Sequence, residues 1–260
     1  MTDRMSPNSA NPQDDYLVEF HPDGSIRRVS QDEVASEISP TFIKRFEVAA
    51  RLGDAGHPEQ ALSAYEAILA PFDDASEPRE MTLEFLGKVE LGKIYCLIDL
   101  QRFEEAKTLC ESSQMRDVYA DQLSTPSLYE YCFAYANILG TLGQVAEMNE
   151  QIVVAINIAV EHLEDLKRCE RAFKLSLIHG KENQAWPYLL EQSHIAYQFG
   201  SNNRSFYLQL IAGEFAFFAL RGLGQKERAR RGAEKIIERY RQADVPNKVH
   251  EWEGLLASVQ

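Results

Sequence analysis

Along most of the chain, apolar residues recur at intervals of three and four. Phe42, Phe46, Ala49 and Leu52 mark one such face. That spacing is the period of a helix buried on one side. It predicts a first long helix from Thr41 to about Asp54 and a partner from Pro58 to about Ala70. Between them Gly56 closes one helix, because glycine enters the left-handed conformation without steric cost. Pro58 lies just inside the next helix, where its missing N–H is not needed. Small Ala61 lets the two helices approach, and Tyr65, one turn on, fills the space beside it.

This helical hairpin recurs in weaker form toward the C-terminus. The second copy spans Met81 to Ser113. A looser linker, Ser112 to Pro126, leads to the third, which turns at Gly143 and continues in a helix from about Val145 to Glu161. The fourth carries Cys169 to Phe173, is predicted to turn at Gly180, and runs on through Ala185 and Leu189. The fifth holds Phe215 to Leu220, turns at Gly224, and resumes through Ala229 and Ile236. Pro246 then opens an amphipathic helix with Val249, Trp252, Leu255 and Leu256, the cap that an open stack requires.

The start of the chain reads differently. Residues 1–14 are Asn, Pro, Ser and Asp with almost nothing to bury, and are expected to be a disordered tail. Tyr16 to Phe20 and Ser25 to Val29 flank His21-Pro22-Asp23-Gly24, a β-hairpin signal. Packing on the helices is the favoured role for that hairpin. Ser30 and Glu33 have capping-box spacing, and Pro40 ends the short helix they would open. The expected division is a tail over 1–14, a β-hairpin and short helix over 15–40, and an all-α repeat domain over 41–260.

The helical hairpins resemble tetratricopeptide repeats. The resemblance runs from Thr41 to Tyr240. It rests on Gly-x4-Ala at Gly56/Ala61, Gly180/Ala185 and Gly224/Ala229, on Leu91-Gly92-x2-Tyr95, and on Phe103-Glu104-Glu105-Ala106. Gln101 replaces the turn glycine of the second hairpin, and Met148 the small residue of the third. Taken at Ala61, Ala106, Met148, Ala185 and Ala229, the repeats lie 45, 42, 37 and 44 residues apart, against roughly 34 for the family. The resemblance implies an α-solenoid of about five hairpins with a C-terminal cap.

Composition narrows the function. Net charge is −13 and the isoelectric point is near 5.0. This disfavours nucleic acid and anionic membrane as partners. The first residues do not form a signal peptide, and no apolar run reaches the length that spans a bilayer. Cys96, Cys110, Cys132 and Cys169 are widely spaced within helical patterns and read as reduced core thiols. These features point to the cytoplasm. None of the six histidines makes a metal-ligand pair, and no nucleotide or nucleophile motif occurs. His57 and His179 are placed at turns. No catalytic residue, cofactor or metal is expected. The basic run Lys226 to Arg231 reads first as a solvated face paired with Glu227, Glu234 and Glu238.

The expected function is therefore a non-enzymatic protein–protein interaction module, adaptor or chaperone-like, that takes a partner peptide or helix in its concave groove. A second reading is an intracellular sensor of a signalling peptide or small ligand; an enzyme is the least supported. In tetratricopeptide proteins the first helix of each hairpin lines the groove. The residue after its small mid-helix position faces the ligand. Ala136 matches that position, so the resemblance implies a groove role for Asn137, with Phe133 one turn before it. The fourth hairpin supplies Lys174 and Glu170, and the fifth Arg221. The plain alternative for Asn137 is a bridge between neighbouring helices. Of Tyr129, Tyr131, Phe133 and Tyr135, packing should take most and leave one or two in the groove.

Overall fold

Seven of the eleven helices described in this protein end in a three-residue turn whose middle residue is left-handed. The computed structural model describes residues 16–20, 26–30, 40–69, 83–112 and 124–259. Among these are eleven helices: α1 (Pro40–Asp54), α2 (Pro58–Leu69), α3 (Leu83–Asp99), α4 (Phe103–Glu111), α5 (Thr125–Thr141), α6 (Val145–Glu161), α7 (Leu166–Glu182), α8 (Trp186–Asn202), α9 (Phe206–Gly222), α10 (Lys226–Gln242) and α11 (Pro246–Ala257). They form five antiparallel hairpins and a cap. Each helix packs on the next in sequence, within a hairpin and from one hairpin to the next. In addition α1 touches α3, α3 touches α5, α5 touches α7 and α7 touches α9. No comparable pair joins two second helices among the described residues. The first helices therefore form a continuous inner layer of an α-solenoid.

The left-handed residues are Gly56, Gln101, Gly143, Glu164, Gln184, Arg204, Gly224 and Asp244. The N–H after each closes back on the preceding helix, as in His57 N to Leu52 O at 2.9 Å, Ala185 N to Gly180 O at 2.9 Å and Gln225 N to Leu220 O at 2.8 Å. That bond satisfies a carbonyl the helix end would otherwise leave unpaired. From Glu164 onward the left-handed residues fall every 20 positions. Helices of 17 residues with three-residue turns give a hairpin longer than the roughly 34 residues of the family. Lengthened helices absorb the excess.

The fourth turn corrects the sequence reading. It lies at Gln184, not Gly180; α7 continues through Gly180 to Glu182. Ala185 caps α8, and the position equivalent to Ala61 is Leu189, which is fully buried. Gly180 is there for packing. A Cβ on it would meet Tyr188 and Leu189 at 3.2 and 3.3 Å. Gln184 instead carries the steric cost of the left-handed region, about 1–2 kcal/mol. Gln184→Gly is expected to stabilise the protein by about 0.5–1 kcal/mol after glycine's own entropy is subtracted. Urea unfolding would show it as a raised midpoint at unchanged slope.

The core runs along the stack. Ala61 is fully buried, and Tyr65 lies over Gly92 of α3, where a Cβ would come within 2.4 Å of the ring. This is the reason for glycine in the Leu91-Gly92 motif. Phe217, Ile236, Ile237, Tyr240 and Trp252 close the C-terminal end. All four cysteines are buried and free. Burial pushes the Cys96 and Cys169 thiols up to about 11 and those of Cys110 and Cys132 to about 12.

Strands β1 (Tyr16–Phe20) and β2 (Ile26–Ser30) pair antiparallel, with Tyr16 opposite Ser30. The expected Pro22-Asp23-Gly24 turn and the short helix after Ser30 lie outside the described residues. No strand makes a sizeable contact with a helix among the described residues. No helix among them is long and apolar enough to cross a membrane.

Candidate functional site: the open face of the first helices

Helix α7 shows how the inner layer presents side chains. Ala172, Phe173, Ser176, Leu177 and Gly180 are buried on one side. Opposite them, Lys167, Arg171, Lys174, Ile178 and Lys181 follow the i, i+4, i+7 rhythm, within an arc of about 80°. The four charged members are exposed. The neighbouring first helices lie to either side of this stripe. Toward α5, Arg171 Nη1 donates to both carboxylate oxygens of Glu130 at 3.0 Å, and its guanidinium covers the Phe133 ring at 3.9 Å. Toward α9, Ser205 Oγ donates to Glu170 Oε1, and Lys181 Nζ sits 3.9 Å from the Phe218 centroid. The stripe itself is left open between them.

The spacing of the turns gives the equivalent positions on the adjacent helices. On α5 they are Glu130, Phe133, Asn137 and Gly140; on α9 they are Tyr207, Glu214, Phe218 and Arg221. Lys174 thus matches Phe133. The residue matching Asn137 is Ile178, because moving the fourth turn from Gly180 to Gln184 shifts the register by four residues.

The five residues expected to line the groove divide by what they already do. Lys174 is exposed, with no ion pair among the described residues. Arg221 is exposed over the edge of the layer, with its guanidinium carbon 5.7 Å from the Phe217 centroid. Phe133 is half-buried under Arg171 and stacks on Tyr129 with centroids 6.0 Å apart. Glu170 is held by Ser205, which also caps α9 by accepting from Leu208 N. Asn137 bridges helices: its Oδ1 lies 3.0 Å from His179 Nε2. No hydrogen bond, ion pair or ring contact joins any two of the five among the described residues.

His179 is not at a turn. It is a buried member of α7, 5% exposed. Glu182 Oε2 comes within 3.2 Å of Nδ1, yet Nδ1 has no hydrogen-bond partner. Burial pushes the imidazole below its ordinary value, against the opposing pull of Glu182. Neutral His179 then donates from Nε2 to Asn137. A depressed folded-state pKa means the contribution is full above the unfolded value, about 6.5, and is lost as pH falls through the folded one. Melting temperature should drop between pH 7.5 and 5.5, and drop less in His179→Gln. Equal losses in both proteins would remove His179 as the cause.

Sequence reasoning missed a polar chain that ties three inner helices. Tyr95 of α3 donates to Glu130 Oε2 at 2.7 Å, and Glu130 takes Arg171 of α7. It also passed over the basic stripe, although the spacing of Lys167, Arg171, Lys174 and Lys181 was there to be seen. Of the four aromatics of α5, only Phe133 remains partly open. Tyr129 and Tyr131 bond backbone carbonyls of Arg168 and Cys110, and Tyr135 bonds Glu111. The basic run of α10 is largely paired as a solvated face, Glu227 reaching Arg230 at 3.3 Å and Arg231 at 3.2 Å. On the opposite side of α5, a crevice of about 180 Å³ opens among Lys107, Tyr135, Gln144, Glu147 and Glu150. No group of side chains that could hold a metal ion occurs among the described residues.

No family model matches the sequence, and no curated protein matches it. Solved structures do match in shape. One is a protein of Podosopora anserina described as a putative kinesin light chain with nearly identical TPR-like repeats. It is 17% identical, with a TM-score of 0.59 over 78% of this chain and 96% of that one. A point variant of that same protein matches at 16% identity and a TM-score of 0.58 over the same shares. At such identity the likeness speaks for the fold: a tetratricopeptide-like solenoid.

Proposed function

We propose that this chain is a non-enzymatic interaction module of the cytoplasm that holds a segment of a partner protein along the open face of its first helices. The observation that carries this reading is the continuity of that face. α5, α7 and α9 touch in series, and their common side presents Lys167, Lys174, Tyr207 and Arg221 exposed, with Phe133 of α5 partly open. Phe133, Lys174 and Arg221 remain in the proposed site, joined by Tyr207. Asn137 and Glu170 serve it indirectly, by fixing α5 against α7 and α7 against α9. An adaptor needs such a rigid, pre-formed row, because ordering it on binding would consume part of the interaction energy. Free, buried thiols suit a reducing compartment.

Affinity capture from the native source identifies the partner, and two variants then test the face. Tyr207 is 47% exposed at the start of α9, and Val153 is 48% exposed on the second helix α6. Tyr207→Ala is expected to weaken binding of the captured partner about tenfold, a hot-spot loss of roughly 1.4 kcal/mol. Val153→Ala should change it less than twofold. Loss in Val153→Ala with full binding by Tyr207→Ala would move the site to the outer layer.

A further inference from the structure

Of the three first helices α5, α7 and α9, one carries most of the charge. α7 carries five lysines and arginines against two glutamates. α5 has Glu130 as its one charged residue, and α9 has Glu214 and Arg221. The acidic neighbours are already engaged. Glu130 takes Arg171 and the Tyr95 hydroxyl, Glu170 takes Ser205, and Glu214 takes the Tyr240 hydroxyl. Lys167 and Lys174 are exposed on the open face with no carboxylate partner among the described residues. Two like charges stand about 10 Å apart along the helix, and Lys181 extends the row to about 21 Å. In a chain of net charge −13, leaving this row unpaired forgoes ion pairs that its many carboxylates could have made.

We propose that the stripe receives an acidic segment of the partner and reads it through side-chain carboxylates spaced along the segment. The inference rests on the reading of the open face as the binding site. The row is too long for a single terminal carboxylate, and its lysines repeat every seventh residue, about two helical turns, which is the spacing of carboxylates along one face of a helical segment. Tyr207 and Phe218 on α9 border it with aromatic surface, so the segment carries an apolar residue beside its acidic ones. Exposed lysines contribute mainly to encounter rate and to the choice of partner, and their effect falls with salt.

The probe is a fluorescein-labelled, C-terminally amidated 14-residue peptide with glutamates every third or fourth position and one tryptophan. Its counterpart has glutamine at the same positions. Anisotropy with the full chain should show at least tenfold tighter binding of the glutamate peptide in 50 mM salt, with most of the difference gone at 300 mM. The double variant Lys167→Glu, Lys174→Glu should lose at least tenfold. Arg228→Glu, Lys235→Glu on α10, which leaves the total charge change the same, should lose less than twofold; circular dichroism confirms that both fold. Equal affinity for the two peptides, equal loss in the two double variants, or binding only when the peptide has a free C-terminal carboxylate would each overturn the acidic-segment proposal. If Tyr207→Ala still releases the captured partner in those cases, the open face stands and only its charge preference falls.

Discussion

Trp252→Ala should cost about 3–5 kcal/mol and lower the melting temperature by roughly 10 °C. Trp252 is 2% exposed and is the largest fully buried side chain of the C-terminal end. Its ring meets Phe217 edge-on with centroids 5.0 Å apart and Phe218 at 6.2 Å. It is the main apolar anchor of α11 on the last hairpin, and a stack's end has a neighbour on one side only. Truncation therefore leaves a cavity that the frame cannot collapse without releasing the cap. Trp252 Nε1 is buried without an acceptor, which already costs something in the native protein. Trp252→Phe removes that unpaired donor along with some volume, and should cost less than about 1.5 kcal/mol. Thermal unfolding followed by circular dichroism checks both. A melting point for Trp252→Ala within a degree or two of the parent would mean that α11 does not cap the stack.

Gly140→Ala should destabilise although it replaces glycine inside a helix. That change ordinarily stabilises by about 0.5–1 kcal/mol. Here the new Cβ would stand 2.4 Å from His179 Cδ2, 2.5 Å from its Cγ and 2.8 Å from Met148 Sδ. The imidazole cannot simply retreat, because Asn137 holds Nε2 and the ring is buried. Overpacking of this kind costs about 1–3 kcal/mol. Gly232→Ala in α10 has nothing within 4 Å of the added methyl and should follow the ordinary sign. Opposite signs for the two substitutions in urea unfolding are the expected result. Stabilisation by both would show that α5 and α7 approach less closely than described.

Much of the fold was legible because the signals were local. Gly56, Gly143 and Gly224 sit where the left-handed residue is needed, and Pro246 and Trp252 mark the cap within one helix. The fourth turn was not legible for a physical reason. Two demands place glycine near a helix end, a positive φ and a close neighbour, and Gly180 answers the second while Gln184 bears the first. Mistaking one for the other moved the register of α7 by four residues and paired Lys174 with Asn137. The site was less legible still. Asn137 has a partner 42 residues away in His179, and Arg171 one 41 residues away in Glu130. Such bonds depend on how one hairpin lands on the next, which spacing within a hairpin does not report. Met148 in place of a small residue was readable only with Gly140, the glycine that makes room for it.

The 20-residue beat of the turns from Glu164 to Asp244 makes the open face a matter of counting. A helix advances about 100° per residue, so each first helix shows the same compass bearing only because whole helices and turns separate it from the last. Adding one residue inside α8 would swing everything after it by that angle and send Tyr207 and Phe218 toward the core. Adding or removing a complete hairpin, two such beats long, would leave every bearing intact and lengthen or shorten the row by one helix. Sequence change in this part of the chain is thereby divided into two kinds, small insertions that scramble the surface and unit-length ones that resize it.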